Sequence, residues 1–186
     1  FDVLMSMLTF GNSKVCLSAL AALACFEYPT PEYNEQFVGL LDTLLLKENN
    51  ICKKYALTVL ARQAALFPEK VLKSESVAHI IHLASSSACV LRLRIHALRA
   101  LAEIITVGVA PVVSGVDISG LLHMAKEEEN MTLKTLTLYV LWVFSTYPRE
   151  VSFSKDQKIL VVEVSRQLFE AHSTKIEFVS YVLVLL

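Results

Sequence analysis

The chain has 186 residues, of which 54% are hydrophobic and 19% charged, with 17 Lys and Arg against 18 Asp and Glu and a mean hydropathy of +0.52. So apolar a composition excludes intrinsic disorder, 5 Gly and 5 Pro are too few to punctuate a sandwich or barrel of short strands, and a net charge of −1 removes any whole-molecule attraction to nucleic acid or anionic lipid. A chain of this length buries roughly 70% of its unfolded surface, enough for a continuous core without metals or disulfides.

Apolar residues at helical spacing place helices over 2–9, 13–27, 34–47, 50–66, 76–85, 89–107, 117–127, 131–146, 156–171 and 174–186, with short extra turns near 69–73 and 109–114. These helices come in pairs. Leu20, Leu57, Leu98, Leu138 and Val179 recur at steps of 37, 41, 40 and 41 residues, and Val3, Leu40, Ile81, Leu121 and Val162 each stand 17 residues before their partner. That offset holds one helix, a tight loop and the start of the next. Pro29, Pro68, Pro111 and Pro148 follow the second helix of successive units, where proline ends a helix without removing an interior hydrogen bond. The expected fold is all-α: about five repeats of about 40 residues, spanning 1–30, 31–73, 74–114, 115–154 and 155–186, in one domain. No single pair can bury its apolar face alone, so the pairs must stack.

The longest stretches free of Asp, Glu, Lys and Arg, 76–91 and 135–148, fall short of the roughly 20 apolar residues of a spanning helix, so no membrane span is expected. The chain starts at Phe1 without a targeting pattern and stops inside an apolar run over 179–186. We expect a piece of a longer array, with further repeats of the parent chain at one or both ends. Cys16, Cys25, Cys52 and Cys89 show no CxxC spacing and read as buried thiols of an intracellular protein, in cytoplasm or nucleus.

The run from Val77 through Ala84, then Ala97 to Leu101, then Pro111 to Val116 resembles an armadillo unit. Over essentially its whole length the chain resembles the armadillo/HEAT α-solenoids, and adaptin-like solenoids would look similar. The resemblance implies a right-handed, non-catalytic α-solenoid that uses no cofactor and binds a peptide or helix in a concave groove lined by the second helix of each unit. HEAT units also carry ion-pair ladders at their corners. Here Lys53, Arg94, Lys134 and Lys175 recur at 41, 40 and 41 residues with wheel angles inside the apolar stripe. Glu48, Glu129 and Glu170 stand five residues before three of them, and Cys89 before Arg94. A buried cation needs a partner, so a structural ladder is expected, with the acids as its other half.

By the same resemblance the groove is lined by positions one before and two, three and six after a small anchor residue. These read Ser18, Ala21, Ala22, Cys25; Tyr55, Thr58, Val59, Arg62; His96, Arg99, Ala100, Glu103; Leu136, Tyr139, Val140, Val143; and Glu177, Ser180, Tyr181, Val184. The Asn and Trp rows of nuclear-import and catenin-like members are replaced by Ala22, Val59, Ala100, Val140, Tyr181 and by Ser18, Tyr55, His96, Leu136, Glu177. A receptor for basic nuclear-localisation peptides is therefore poorly supported.

Charge is unevenly spread. Residues 1–50 hold two bases and six acids, 51–100 eight and two, 101–150 three and six, and 151–186 four of each. In the basic block Arg62, Arg92 and Arg99, with Tyr55 and His96 beside them, fall on the expected solvent face and could receive a carboxylate or phosphate. With Tyr139 they form the candidate partner-binding groove, for a protein partner carrying an acidic or phosphorylated group, with apolar contacts toward Leu136 and Val143. The acidic blocks on either side count against nucleic acid. His79 and His82 have metal-ligand spacing but only Cys89 as a third donor in sequence reach. The acidic run over 126–130 reads as a solvated loop, and Trp142, with Tyr139 and Phe144, as packing. No nucleophile elbow, phosphate loop or paired-carboxylate motif is present, and an enzyme is not expected. The competing role is a structural spacer within a larger complex, which exposed apolar residues near 1–10 and 178–186 would favour.

Overall fold

A computed structural model of the chain describes residues 2–10, 12–25, 34–46, 49–66, 71, 75–107 and 119–146, together with 155, 156, 159, 162, 163 and 166. The described residues hold eight long α-helices: α1 Asp2–Phe10, α2 Ser13–Cys25, α3 Asn34–Leu46, α4 Asn50–Leu66, α5 Ser76–Ser85, α6 Leu91–Val107, α7 Ser119–Glu127 and α8 Met131–Thr146. They form four antiparallel pairs. The second helices α2, α4, α6 and α8 end two to four residues before Pro29, Pro68, Pro111 and Pro148, as the punctuation requires. One start differs: Cys89 lies in the turn before α6 and not within it. The expected helices over 156–171 and 174–186 and the turn near 109–114 lie outside the described residues or touch them only at scattered positions, and Val71 alone represents the turn near 69–73.

The pairs stack in two layers. First helices pack in the order α1, α3, α5, α7 and second helices in the order α2, α4, α6, α8, each first helix also packing on its own second helix. The two repeat registers report this arrangement. Leu20, Leu57, Leu98 and Leu138 are all at most 2% exposed, because the second-helix layer is covered by its pair partners along the whole stack. Along the first-helix layer Ile81 and Leu121 are 4% and 0% exposed, whereas their equivalents Val3 and Val162 are 66% and 38% exposed and Leu40 is half-buried.

Polar links tie the units together. The buried Ser76 hydroxyl at the start of α5 donates to Asp42 of α3. Gly120 opens α7 against α5, where a Cβ would stand 3.0 Å from Ser85 Oγ. Three second helices begin with an asparagine cap, which accepts backbone N–H groups left without a partner in the first helical turn. Asn12 Oδ1 accepts from Lys14 and Val15, Asn49 Oδ1 from Ile51 and Cys52, and Asn130 Oδ1 from Leu133. The equivalent residue of the third unit is Val90, which has no side-chain acceptor to offer.

Candidate functional site

Two sets of basic residues separate on the second helices. At the corners, Arg94 Nε donates to the carbonyl of Ala84 in the last turn of α5 at 2.9 Å, and Lys134 Nζ to that of Lys126 in the last turn of α7 at 3.3 Å. A cation there meets the free carbonyls and the negative end of the helix dipole. The ladder thus has a helix-terminus component. Its acid differs from the expected one: Arg94 Nη2 pairs with Glu128 Oε2 at 2.5 Å, while Glu129 is exposed. Glu128 is selected because its second oxygen also accepts the N–H of Asn130 at 3.0 Å, holding the carboxylate over the corner. Both side chains of the pair are nearly enclosed, 12% and 15% exposed. Glu48, Glu170 and Lys175 lie outside the described residues.

The other set faces outward. Helix α6 is packed by α4, α5 and α8, which leaves a single solvent strip at a spacing of four and three residues: Arg92, His96, Arg99 and Glu103. His96 is half-buried and the other three are exposed. On α4 the strip runs through Ile51, Lys54, Thr58 and Arg62, with Tyr55 half-buried beside it. On α8 it holds Leu136, Tyr139 and Trp142, all half-buried. The face therefore grades from Lys14, Ser18 and Ala21 of α2, through cations on α4 and α6, to aromatic and aliphatic side chains on α8.

Within this face His96 and Arg99 stand three residues apart on α6, and Lys54 and Tyr55 are neighbours on α4, packed alongside it. Lys54 Nζ lies 5.9 Å from the centre of the Tyr55 ring, inside cation–π range. Burial, then the charges of Lys54 and Arg99, hold the His96 imidazole below the ordinary histidine pKa. Among the described residues no carboxylate pairs with Lys54, Arg62, Arg92 or Arg99. The Tyr139 and Trp142 rings meet at 5.7 Å between centroids, tilted by 34°, and both pack against the core from the rim.

One expected row and one further residue are corrected. Val59, Ala100 and Val140 are at most 5% exposed, because that position turns 100° beyond the strip into the seam between successive second helices, and Ala22 is half-buried. Val143 is fully buried within the core and does not reach the face; Leu136, with Tyr139, supplies the apolar end instead. Lys54 was missed, although its spacing with Thr58 and Arg62 places it on their strip. His79 Nε2 faces Glu75 at 3.8 Å, and His82 is exposed beyond it. Among the described residues no three His, Cys, Asp or Glu side chains stand together as a metal site, and no helix is long and apolar enough to cross a membrane. Cys16 and Cys52 are buried and Cys89 is half-buried.

No protein-family model matches the chain, and no curated protein does. Solved structures do. A designed armadillo repeat protein in complex with the peptide (KR)4 superposes with a TM-score of 0.71 at 14% identity, over 98% of this chain and 78% of that one. An engineered protein from a structural-genomics programme gives 0.74 at 20% identity, over 99% and 76%. A computationally designed armadillo repeat protein for modular peptide recognition gives 0.68 at 15%, over 98% and 79%. The chain has the fold of an armadillo-type α-solenoid.

Proposed function

We propose that the chain is a non-catalytic interaction scaffold of one repeat domain, and that a peptide or helix of a protein partner lies across the strip formed by α4, α6 and α8. Arg62, Arg92 and Arg99 receive an acidic or phosphorylated group, Tyr55 and His96 border it, and Tyr139 takes an apolar side chain. The observation that carries this reading is the set of four cations on one face, without a carboxylate partner among the described residues, next to an aromatic rim. Surface guanidinium groups of this kind are free to bind carboxylate or phosphate bidentately. The designed neighbour binds a cationic peptide, and a cationic strip would repel one, so the charge preference here is the reverse.

The test is Arg92→Ala/Arg99→Ala. Both residues are exposed, so the double variant should keep its denaturation midpoint to within about 0.5 kcal/mol while losing at least ten-fold in affinity for acidic peptides selected on the wild-type chain. Unchanged affinity at unchanged stability would sink the reading. A second reading, the spacer, rests on Val3 and Met7, 66% and 38% exposed on the outer side of α1. A neighbouring repeat would cover them. Val3→Lys that left assembly of the parent protein intact would count against it.

A further inference from the structure

His96 borders the arginines of this face, and Lys54 is exposed on the neighbouring strip of α4. The structure gives these two residues a shared role. His96 is half-buried and Arg99 exposed three residues on along the same strip of α6, and Lys54 is exposed on α4, the helix packed alongside, with its ammonium 5.9 Å from the Tyr55 ring; the lowered pKa of His96 agrees with that grouping. Protonation there would put a third positive charge beside two others. That state is unfavourable while the face is empty, and becomes favourable once a compact anion sits among the three groups. We propose that Lys54, His96 and Arg99 form a subsite for the phosphate of a phosphorylated side chain in the bound peptide, and that His96 enters the complex with a proton taken from solvent. This deepens the groove reading and rests on it.

Three points favour a phosphate ester over other anions. Its oxygens can accept at once from an ammonium, an imidazolium and a guanidinium, whereas a single carboxylate offers two. Its charge of −1.5 to −2 near neutral pH offsets more of the local excess than a carboxylate does. A nucleic acid would need the cationic strip to continue on both sides, and toward α8 it gives way to Leu136, Tyr139 and Trp142, while α2 adds only Lys14 beside Ser18 and Ala21.

The charged and titratable groups around His96 are accounted for by element. Helix α4 offers Lys54, with Tyr55 and Arg62 on the same face. Helix α6 itself offers Arg92, Arg99 and, two turns on, Glu103. Helix α8 offers Tyr139 and no charge on its strip. Helix α5 lies behind: Arg94, which binds its last turn, projects about 160° away from His96, so His79 and His82 are on the far side of α6.

The experiment follows the His96 ring C–H resonance across pH in the full chain, alone, with inorganic sulfate, and with one peptide in its phosphoserine, glutamate and serine forms. Sulfate keeps its charge through the titration, which separates the histidine's proton from the phosphate's own. Alone, His96 should titrate below 6.5; saturating sulfate or phosphopeptide should move its midpoint up by about one unit. Sulfate affinity should rise several-fold between pH 7.5 and 5.5, by at most about ten-fold per pH unit for one proton. The phosphoserine form should bind about ten-fold tighter than the glutamate form. Lys54→Ala/Arg99→Ala should abolish the midpoint shift with the helix content unchanged by circular dichroism. His96→Gln should keep binding at pH 7.5 and lose its strengthening in acid.

An unmoved His96 midpoint in wild type overturns the proposal, as does a shift that survives in Lys54→Ala/Arg99→Ala, or an RNA oligonucleotide that binds tighter than the phosphopeptide. The two levels of the reading fail differently. Peptides that bind wild type and Lys54→Ala/Arg99→Ala equally overturn the subsite and leave the groove. Sulfate raising the midpoint while no peptide binds leaves an oxyanion site and removes the groove.

Discussion

Arg94 and Arg99 stand five residues apart on α6 and do opposite work. Arg94 is nearly enclosed, with one nitrogen on the end of α5 and another on Glu128 of the following unit. Arg99 is exposed, and among the described residues it has no acid. The five-residue step turns the helix by 140°, from the corner where two units meet to the strip left open between α4 and α8. Net charge and composition cannot distinguish the two. What separates them is whether the cation's hydrogen-bonding capacity is filled by the fold or left for something else.

The comparison breaks most severely at the corner. Arg94→Met should destabilise by about 3–5 kcal/mol, since it leaves Glu128 charged, nearly enclosed and short of its partner. Arg94→Met/Glu128→Leu should recover most of that, and chemical denaturation of both variants measures it. A double variant as unstable as the single one would mean that the Ala84 contact, not the ion pair, dominates.

Next in size is the cap row. Asn49→Ala should cost about 1 kcal/mol by thermal or urea unfolding. Val90→Asn should act in the other direction, adding a missing cap at a residue already 52% exposed and gaining up to about 1 kcal/mol. No gain would mean that solvent already satisfies the first N–H groups of α6.

The smallest effect belongs to the outward face. Because His96 is held below its unfolded pKa of about 6.5, the unfolded chain binds the proton more readily. Stability on this account is fully present above pH 6.5 and falls as the pH drops through 6.5 toward the folded value. His96→Gln should flatten that part of the stability profile, and an unchanged slope would assign it to other groups.

The repeat was legible because its signal is redundant. Leu20, Leu57, Leu98 and Leu138 carry the same instruction four times, and the prolines repeat where each pair ends. The strip on α6 was legible too, since Arg92, His96, Arg99 and Glu103 keep helical spacing in an otherwise apolar helix. Details set by one local contact were not. Glu128 and Glu129 are chemically alike, and only the N–H of Asn130 decides between them. The placement of Val143 inside the core depends on how α8 settles against its neighbours, which no spacing encodes. The asparagine caps were readable but unread: Asn12, Asn49 and Asn130 each stand eight residues before Leu20, Leu57 and Leu138.

The polar links also run along the stack. Units two and three are joined through Asp42 and Ser76, and units three and four through Arg94 and Glu128, so loosening one member of this group loosens the next. Amide exchange should therefore be slowest in α6, the helix enclosed by α4, α5 and α8.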